Sequence, residues 1–180
     1  MSLTTYLRIF MGAYVPRDIS KILYLDCDLV CRGSLLPLYS EETGDDIVLG
    51  VDDVLSKDNT VRLSLGKYIS AGVMLINLDA WRKEDCCGKL LKYVELNCGN
   101  SERLKYHDQD AINAVLNDRI RMVDSKWNAQ TSSYLGSEKQ NFIGKTAIIV
   151  HFVSDRKPWV EGAESPFAYE YFHYLGLSPW

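Results

Sequence analysis

The sequence predicts an α/β protein built around a twisted sheet, and three observations carry that prediction. Apolar runs with the length of buried strands, Lys21–Leu25 and Ser70–Asn77 among them, alternate with segments of helical spacing. Strand-like runs end in chemistry rather than in plain turns: one runs into Asp26-Cys27-Asp28 and another into His151. The chain's 180 residues, 47% hydrophobic and 24% charged, suit one domain with a sizeable core.

Each element follows in order. A helix is expected over Thr5–Ala13, then the strand before Asp26, then a strand over Ile47–Val51. A polar, mobile stretch from Asp52 to Lys67 comes next. Ser70–Asn77 is too apolar for a surface helix and reads as a buried strand. Asp79–Asn97 places Trp81, Leu90, Leu91 and Val94 at helical spacing, with Gly99 to stop the helix. Asp108–Leu116 forms another helix on an apolar stripe of Ala111, Ile112, Val115 and Leu116. Its first turn holds Asp108 and Gln109, where the helix dipole favours an acid. Thr146–Val150 is a last buried strand.

Two carboxylates spaced i, i+2 at a strand end can turn toward one point, and hard cations such as Mg²⁺ or Mn²⁺ take such oxygen ligands. The alternative is that Asp26 and Asp28 merely solvate the strand end. A second strand end supplies His151, able to add nitrogen to a cation held by those acids, and Lys157, able to meet a phosphate oxygen.

Six segments in one order resemble glycosyltransferase family 8, the retaining, nucleotide-sugar-dependent group that contains glycogenin and lipopolysaccharide galactosyl- and glucosyltransferases. They are Thr5-Tyr6-Leu7-Arg8, Leu23–Asp28, Ala71–Leu78 with Trp81-Arg82, Asp108-Gln109-Asp110, Lys126-Trp127-Asn128 and His151–Trp159. The resemblance implies a Rossmann-like, GT-A type fold with a mixed, mostly parallel sheet. It makes Asp26 and Asp28 the DxD pair, with Cys27 between them, binding Mn²⁺ (or Mg²⁺) and the donor diphosphate. His151 is then the third metal ligand, with Ser154 and Lys157 at the diphosphate. The same matching puts Arg8, Asp108 and Gln109 around the donor sugar, close to the backbone of Ala71 and Gly72, with Asp108 and Gln109 as catalytic residues. Asp53, or Asp52 beside it, matches a position near the acceptor.

Two positions depart from the family pattern. Ser70 stands where many members have Asn, and the shorter hydroxyl puts the sugar preference in question. Ser154 stands where Gly is common, and its Cβ restricts close backbone approach. The family's opening strand and helix, with their base and ribose contacts, have no match, so the chain reads as an N-terminally truncated domain. Met1–Leu3 fits a cloning remnant ahead of a single catalytic domain over residues 4–180. Such truncation leaves an uncovered apolar edge, so self-association into a homodimer is expected.

The implied reaction moves a glucosyl or galactosyl group from a UDP-sugar to a saccharide or glycolipid acceptor. Gln109 carries an amide, a weak nucleophile, so attack on the face the leaving group departs is the preferred route to retention. An inactive or non-catalytic truncated module is the alternative. A haloacid dehalogenase-like phosphatase, with Asp26 phosphorylated and Asp28 shuttling protons, is a further one. It needs a later acidic pair, for which Asp45-Asp46 and Asp52-Asp53 arrive too early, and it leaves His151–Trp159 without a role.

Net charge of −4 and no Lys/Arg run argue against nucleic acid as a partner. No apolar run approaches the roughly 20 residues of a transmembrane helix. Five cysteines without paired CxxC spacing read as reduced and structural, which suits a cytoplasmic protein. Phe167, Tyr169, Tyr171, Phe172, Tyr174 and Trp180 suit helix packing, an acceptor platform or an interfacial contact at a membrane periphery, and their spacing favours packing.

Overall fold

The computed structural model describes residues 3–132, 136–153 and 156–179. Its strands are β1 (Lys21–Leu25), β2 (Leu29–Cys31), β3 (Val48–Asp52), β4 (Ile69–Asn77), β5 (Ile120–Met122), β6 (Ala129–Gln130) and β7 (Ile149–His151). The α-helices are α1 (Met11–Tyr14), α2 (Leu36–Tyr39), α3 (Ser56–Leu63), α4 (Leu78–Lys83), α5 (Cys86–Leu96), α6 (His107–Leu116), α7 (Ser137–Thr146) and α8 (Ala168–Leu177). A 3₁₀ segment, Leu3–Phe10, precedes α1. The chain divides into two compact units, Met1–Tyr24 with Glu41–Val123 and Leu25–Ser40 with Asp124–Trp180.

The first unit carries a four-stranded sheet in the order β1-β4-β3-β5. β3 pairs antiparallel with β4 and parallel with β5. β4 is almost wholly buried, and Ile9, Met11, Leu78, Trp81, Leu90, Ile112 and Leu116 gather in one core cluster with its Met74 and Ile76. A bulge interrupts the β3/β4 register between Gly50 and Asp52. A Cβ on Gly50 would lie 2.6 Å from Ile69 Cδ1, so glycine is what permits that close approach.

The second unit carries a three-stranded sheet, β2-β7-β6, antiparallel between β2 and β7 and parallel between β7 and β6. Its core gathers Ala129, Ile143, Ala147, Val150 and Phe152, with Val30, Phe167 and Tyr171 packed against them. Both sheets are mixed, each holding an antiparallel and a parallel ladder.

Several elements differ from the sequence reading, each for a local reason. The polar stretch after Asp52 contains α3, whose two buried residues, Asn59 and Leu63, give too weak a stripe to read. The helix expected over Asp79–Asn97 is two helices, broken where Asp85 takes a left-handed backbone (φ 51°) and accepts from Gly88 N–H as cap of α5. It also stops at Leu96, before Gly99. Thr146 closes α7, donating its hydroxyl to the Phe142 carbonyl, so the last strand begins at Ile149 and includes His151. In the aromatic cluster, Phe167 and Tyr171 pack into the core as expected, whereas Tyr169 and Phe172 are mostly exposed. Trp180 lies outside the described residues. No helix among the described residues is long and apolar enough to cross a membrane.

Candidate metal and sugar sites

The three-stranded sheet explains why one histidine meets residues from two distant segments. β7 is its central strand, and register sets His151 opposite Leu29 on one side and Gln130 on the other. Asp28, one residue before β2, and Asn128, one residue before β6, therefore flank the imidazole. Phe152 N–H donates to the Asp28 carbonyl at 2.9 Å, and Thr131 N–H to the His151 carbonyl at 2.8 Å, which fixes both approaches.

His151 is 3% exposed, and its two ring nitrogens have different partners. Nδ1 lies 2.9 Å from Asn128 Oδ1, and Nε2 lies 3.0 Å from Asp28 Oδ1 and 4.0 Å from Asp26 Oδ2. Lys157 Nζ donates to Asp28 Oδ2 at 2.5 Å and also to the Phe152 carbonyl. Burial raises the Asp28 pKa, but the hydrogen bonds and charges of His151 and Lys157 outweigh it and hold the carboxyl well below the usual range.

These donors fit a divalent cation. An amide oxygen only accepts, so Nδ1 carries a proton toward Asn128, and Nε2 is the nitrogen that faces the carboxylates. Nε2 and Asp28 Oδ1, 3.0 Å apart, need positive charge between them, which a proton on Nε2 or a bound cation supplies. One ligand atom from each of Asp26, Asp28 and His151 lies within 4.8 Å of the others. An octahedral ion with bonds of about 2.1 Å has adjacent ligands about 3.0 Å apart, the Asp28–His151 spacing. Cys27 between the acids is exposed, and all five cysteines are free thiols. Ser154 lies outside the described residues.

The first unit holds a second cluster. Arg8, from the 3₁₀ segment, pairs its Nε with Asp108 Oδ2 at 2.8 Å, donates Nη1 to the Ala71 carbonyl at 2.7 Å and lies 4.6 Å over the Tyr24 ring. Asp108 is 2% exposed. Gln109 Oε1 accepts from Ala71 N–H at 2.9 Å, and its Nε2 reaches Asp53 Oδ2 and Tyr68 Oη, each at 3.3 Å. Asp53 is half-buried; burial pushes its carboxyl up, against hydrogen bonds from Leu55 N–H and Gln109. Ser70 and Gly72 are buried in β4, and the Ser70 hydroxyl accepts weakly from Gly72 N–H at 3.4 Å.

The structure thus joins Arg8, Asp53, Ala71, Asp108 and Gln109 through direct contacts, and Asp26, Asp28, His151 and Lys157 through another set. Ala71 N–H donates to Gln109 Oε1. Sequence reasoning overlooked the support beneath: Tyr68, Asp110, Asn113 and Arg62. Asp110, fully buried, accepts from Tyr68 Oη at 2.5 Å, from Arg62 at 2.6 and 3.1 Å and from Tyr106 N–H at 2.7 Å. Polar residues on the buried side of α6 were the available signal.

The sheets and helices are those of a GT-A type glycosyltransferase. More closely, the chain belongs to glycosyltransferase family 8, whose family model matches residues 1–163. It is 30% identical to general stress protein A of Bacillus subtilis, over 91% of this chain and 61% of that protein. It is 30% identical to a lipopolysaccharide 1,2-glucosyltransferase of Escherichia coli, over 97% of this chain and 55% of that one. Among solved structures it is similar to galactosyltransferase LgtC in complex with donor and acceptor sugar analogs, with 25% identity and a TM-score of 0.82 over 100% of this chain and 69% of LgtC. The chain therefore spans 55–61% of the length of these curated relatives.

Proposed function

We propose that the protein transfers a hexosyl group, glucose or galactose, from a UDP-sugar to a saccharide or glycolipid acceptor with retention of configuration, using Mn²⁺ or Mg²⁺. The observation that carries this reading is the Asp26–Asp28–His151 donor set with Lys157 on the same carboxylate. Sugar transfer from a nucleoside diphosphate needs that combination, because the leaving group gathers negative charge. A bound divalent cation there supplies Lewis-acid stabilisation of the departing diphosphate.

In this reading Asp26, Asp28 and His151 hold the cation, and Asn128 orients the imidazole. The Lys157 ammonium serves the diphosphate with a charge-assisted hydrogen bond. Arg8 and Asp108 bind donor-sugar hydroxyls, Gln109 lies nearest the anomeric carbon, and Asp53 and Ser70 belong to the acceptor side. Lacking a carboxylate at Gln109, the protein favours same-face attack, in which the departing phosphate oxygen takes the acceptor hydroxyl's proton. Names of relatives support the sugar classes: one is a glucosyltransferase, another a galactosyltransferase.

Calorimetric titration with Mn²⁺ and then UDP tests the proposal on wild type, Asp26→Asn and Asp28→Asn. Cation-dependent UDP binding, lost in both variants, is expected. Either substitution should also lower transfer on the order of 10²-fold or more, as loss of a single charge-stabilising group does. Cation binding with no nucleotide binding under any condition would instead support a non-catalytic module.

A further inference from the structure

We infer that Tyr68, together with Asp53, is a positioning residue that locks the Gln109 carboxamide so that its oxygen is the only hydrogen-bonding capacity left for a bound sugar. The inference rests on the proposed donor-sugar role of Gln109 and extends it to residues that do not themselves touch the sugar.

A carboxamide has two N–H donors and two lone pairs, and its two ends are nearly the same shape, so surrounding groups must decide which end faces where. Three neighbours decide it here. Ala71 N–H can only donate, and it meets Oε1 at 2.9 Å. An ionised Asp53 can only accept, and its Oδ2 meets Nε2 at 3.3 Å. Tyr68 could do either, but its proton is committed: its hydroxyl donates to Asp110 Oδ1 at 2.5 Å. Asp110 faces Tyr68 as an acceptor, because both its oxygens already accept from the Arg62 guanidinium and one also from Tyr106 N–H. The Tyr68 oxygen therefore turns a lone pair to Gln109 Nε2, at 3.3 Å.

Donation thus runs from Gln109 through Tyr68 to Asp110, and the Arg62 guanidinium donates to Asp110 from the other side. Both amide hydrogens and one lone pair of Oε1 are used, and one lone pair remains on a half-buried side chain. Turning the carboxamide over would set Nε2 against Ala71 N–H and Oε1 against the Asp53 carboxylate. Gln109 accordingly offers a ligand an acceptor and never a donor.

The Gln109 side-chain amide resonances, assigned by their loss in Gln109→Met, read the lock in the full chain without any sugar. Tyr68→Phe should shift one amide hydrogen and speed its exchange with solvent, and Asp53→Ala should do so for the other. If Tyr68→Phe does not fold, Asp53→Ala still reads the lock. Unchanged resonances in every variant that folds would overturn the inference.

A second arm measures transfer from UDP-hexose. Tyr68→Phe should lower kcat on the order of tenfold to a hundredfold, as small misplacements of reacting groups do, with KM little changed. That penalty should vanish in a Gln109→Ala background, since Tyr68 acts through Gln109. An equal penalty in both backgrounds would make Tyr68 merely structural. Absence of transfer by the wild type would count against the proposed function and leave the resonances to decide the lock.

Discussion

His151 Nε2 and Asp28 Oδ1 pose a question of charge, because the Nδ1 proton is already given to Asn128. Removing the amide frees the ring to rotate and to change tautomer, so Asn128→Ala should weaken Mn²⁺ binding by about 10–100-fold, as loss of a group that orients a ligating imidazole does. Asn128→Asp should retain most of the affinity, since it keeps an acceptor. Isothermal titration checks both, and equal affinity in Asn128→Ala would remove the orienting role.

Asp28 makes a separate prediction about acid. Its folded-state pKa is depressed, so its stabilising contribution is complete above the unfolded carboxylate value and is lost as pH falls through the lower folded value. In metal-free protein, the urea midpoint of wild type minus that of Asp28→Asn should be largest above about pH 5 and should shrink below about pH 3. A difference that grows on acidification would contradict the assignment. Asp26, Asp28 and His151 were legible because strand ends are visible as apolar runs that stop at polar residues. Asn128 gained its role only from the β6/β7 register, which no local pattern encodes.

At the scale of elements, β4 and α6 were legible because each carries a strong period, a continuous apolar run in one and an apolar stripe in the other. What joins them was not. Asn113 on α6 accepts from Ile69 N–H at 2.7 Å and donates to the Ile69 carbonyl at 2.8 Å, saturating the first residue of β4 with one side chain. Asn117 treats the chain just before in the same way, taking Gly66 N–H and giving to the Lys67 carbonyl. Asn113→Ala leaves two buried backbone groups unpaired and should cost about 2–4 kcal/mol in urea unfolding. A cost near zero would show that other groups take up those bonds. α3 was invisible for the converse reason: much of what anchors it is tertiary, Arg62 reaching Asp110, while its exposed end strains against Ser64 in a left-handed conformation (φ 57°). Ser64→Gly relieves that strain and should raise stability by about 0.5–1 kcal/mol, read as a higher urea midpoint with unchanged slope.

The division of the whole chain into two units was hidden because the strands that define the second are only two or three residues long, too short to show a period. Its boundaries nonetheless have a physical meaning. The four-stranded ladder belongs to one unit and the three-stranded ladder to the other, with β1 ending where the chain passes between them. All three proposed metal ligands lie in the second unit, so a cation stabilises that unit's folded state directly. Saturation to about 100 times Kd contributes about 2.7 kcal/mol against any opening that breaks the site. Local openings should therefore slow in β2 and β7 when Mn²⁺ is added, while amides of β3 and β4 exchange as before. Hydrogen exchange followed by mass spectrometry, with and without the cation, reads both sets in one experiment. Equal slowing in both sheets would mean that the chain opens as a single cooperative unit. In that case the short ladder holding His151 draws its stability from the whole chain rather than from the six residues between Leu25 and Arg32 and their partners.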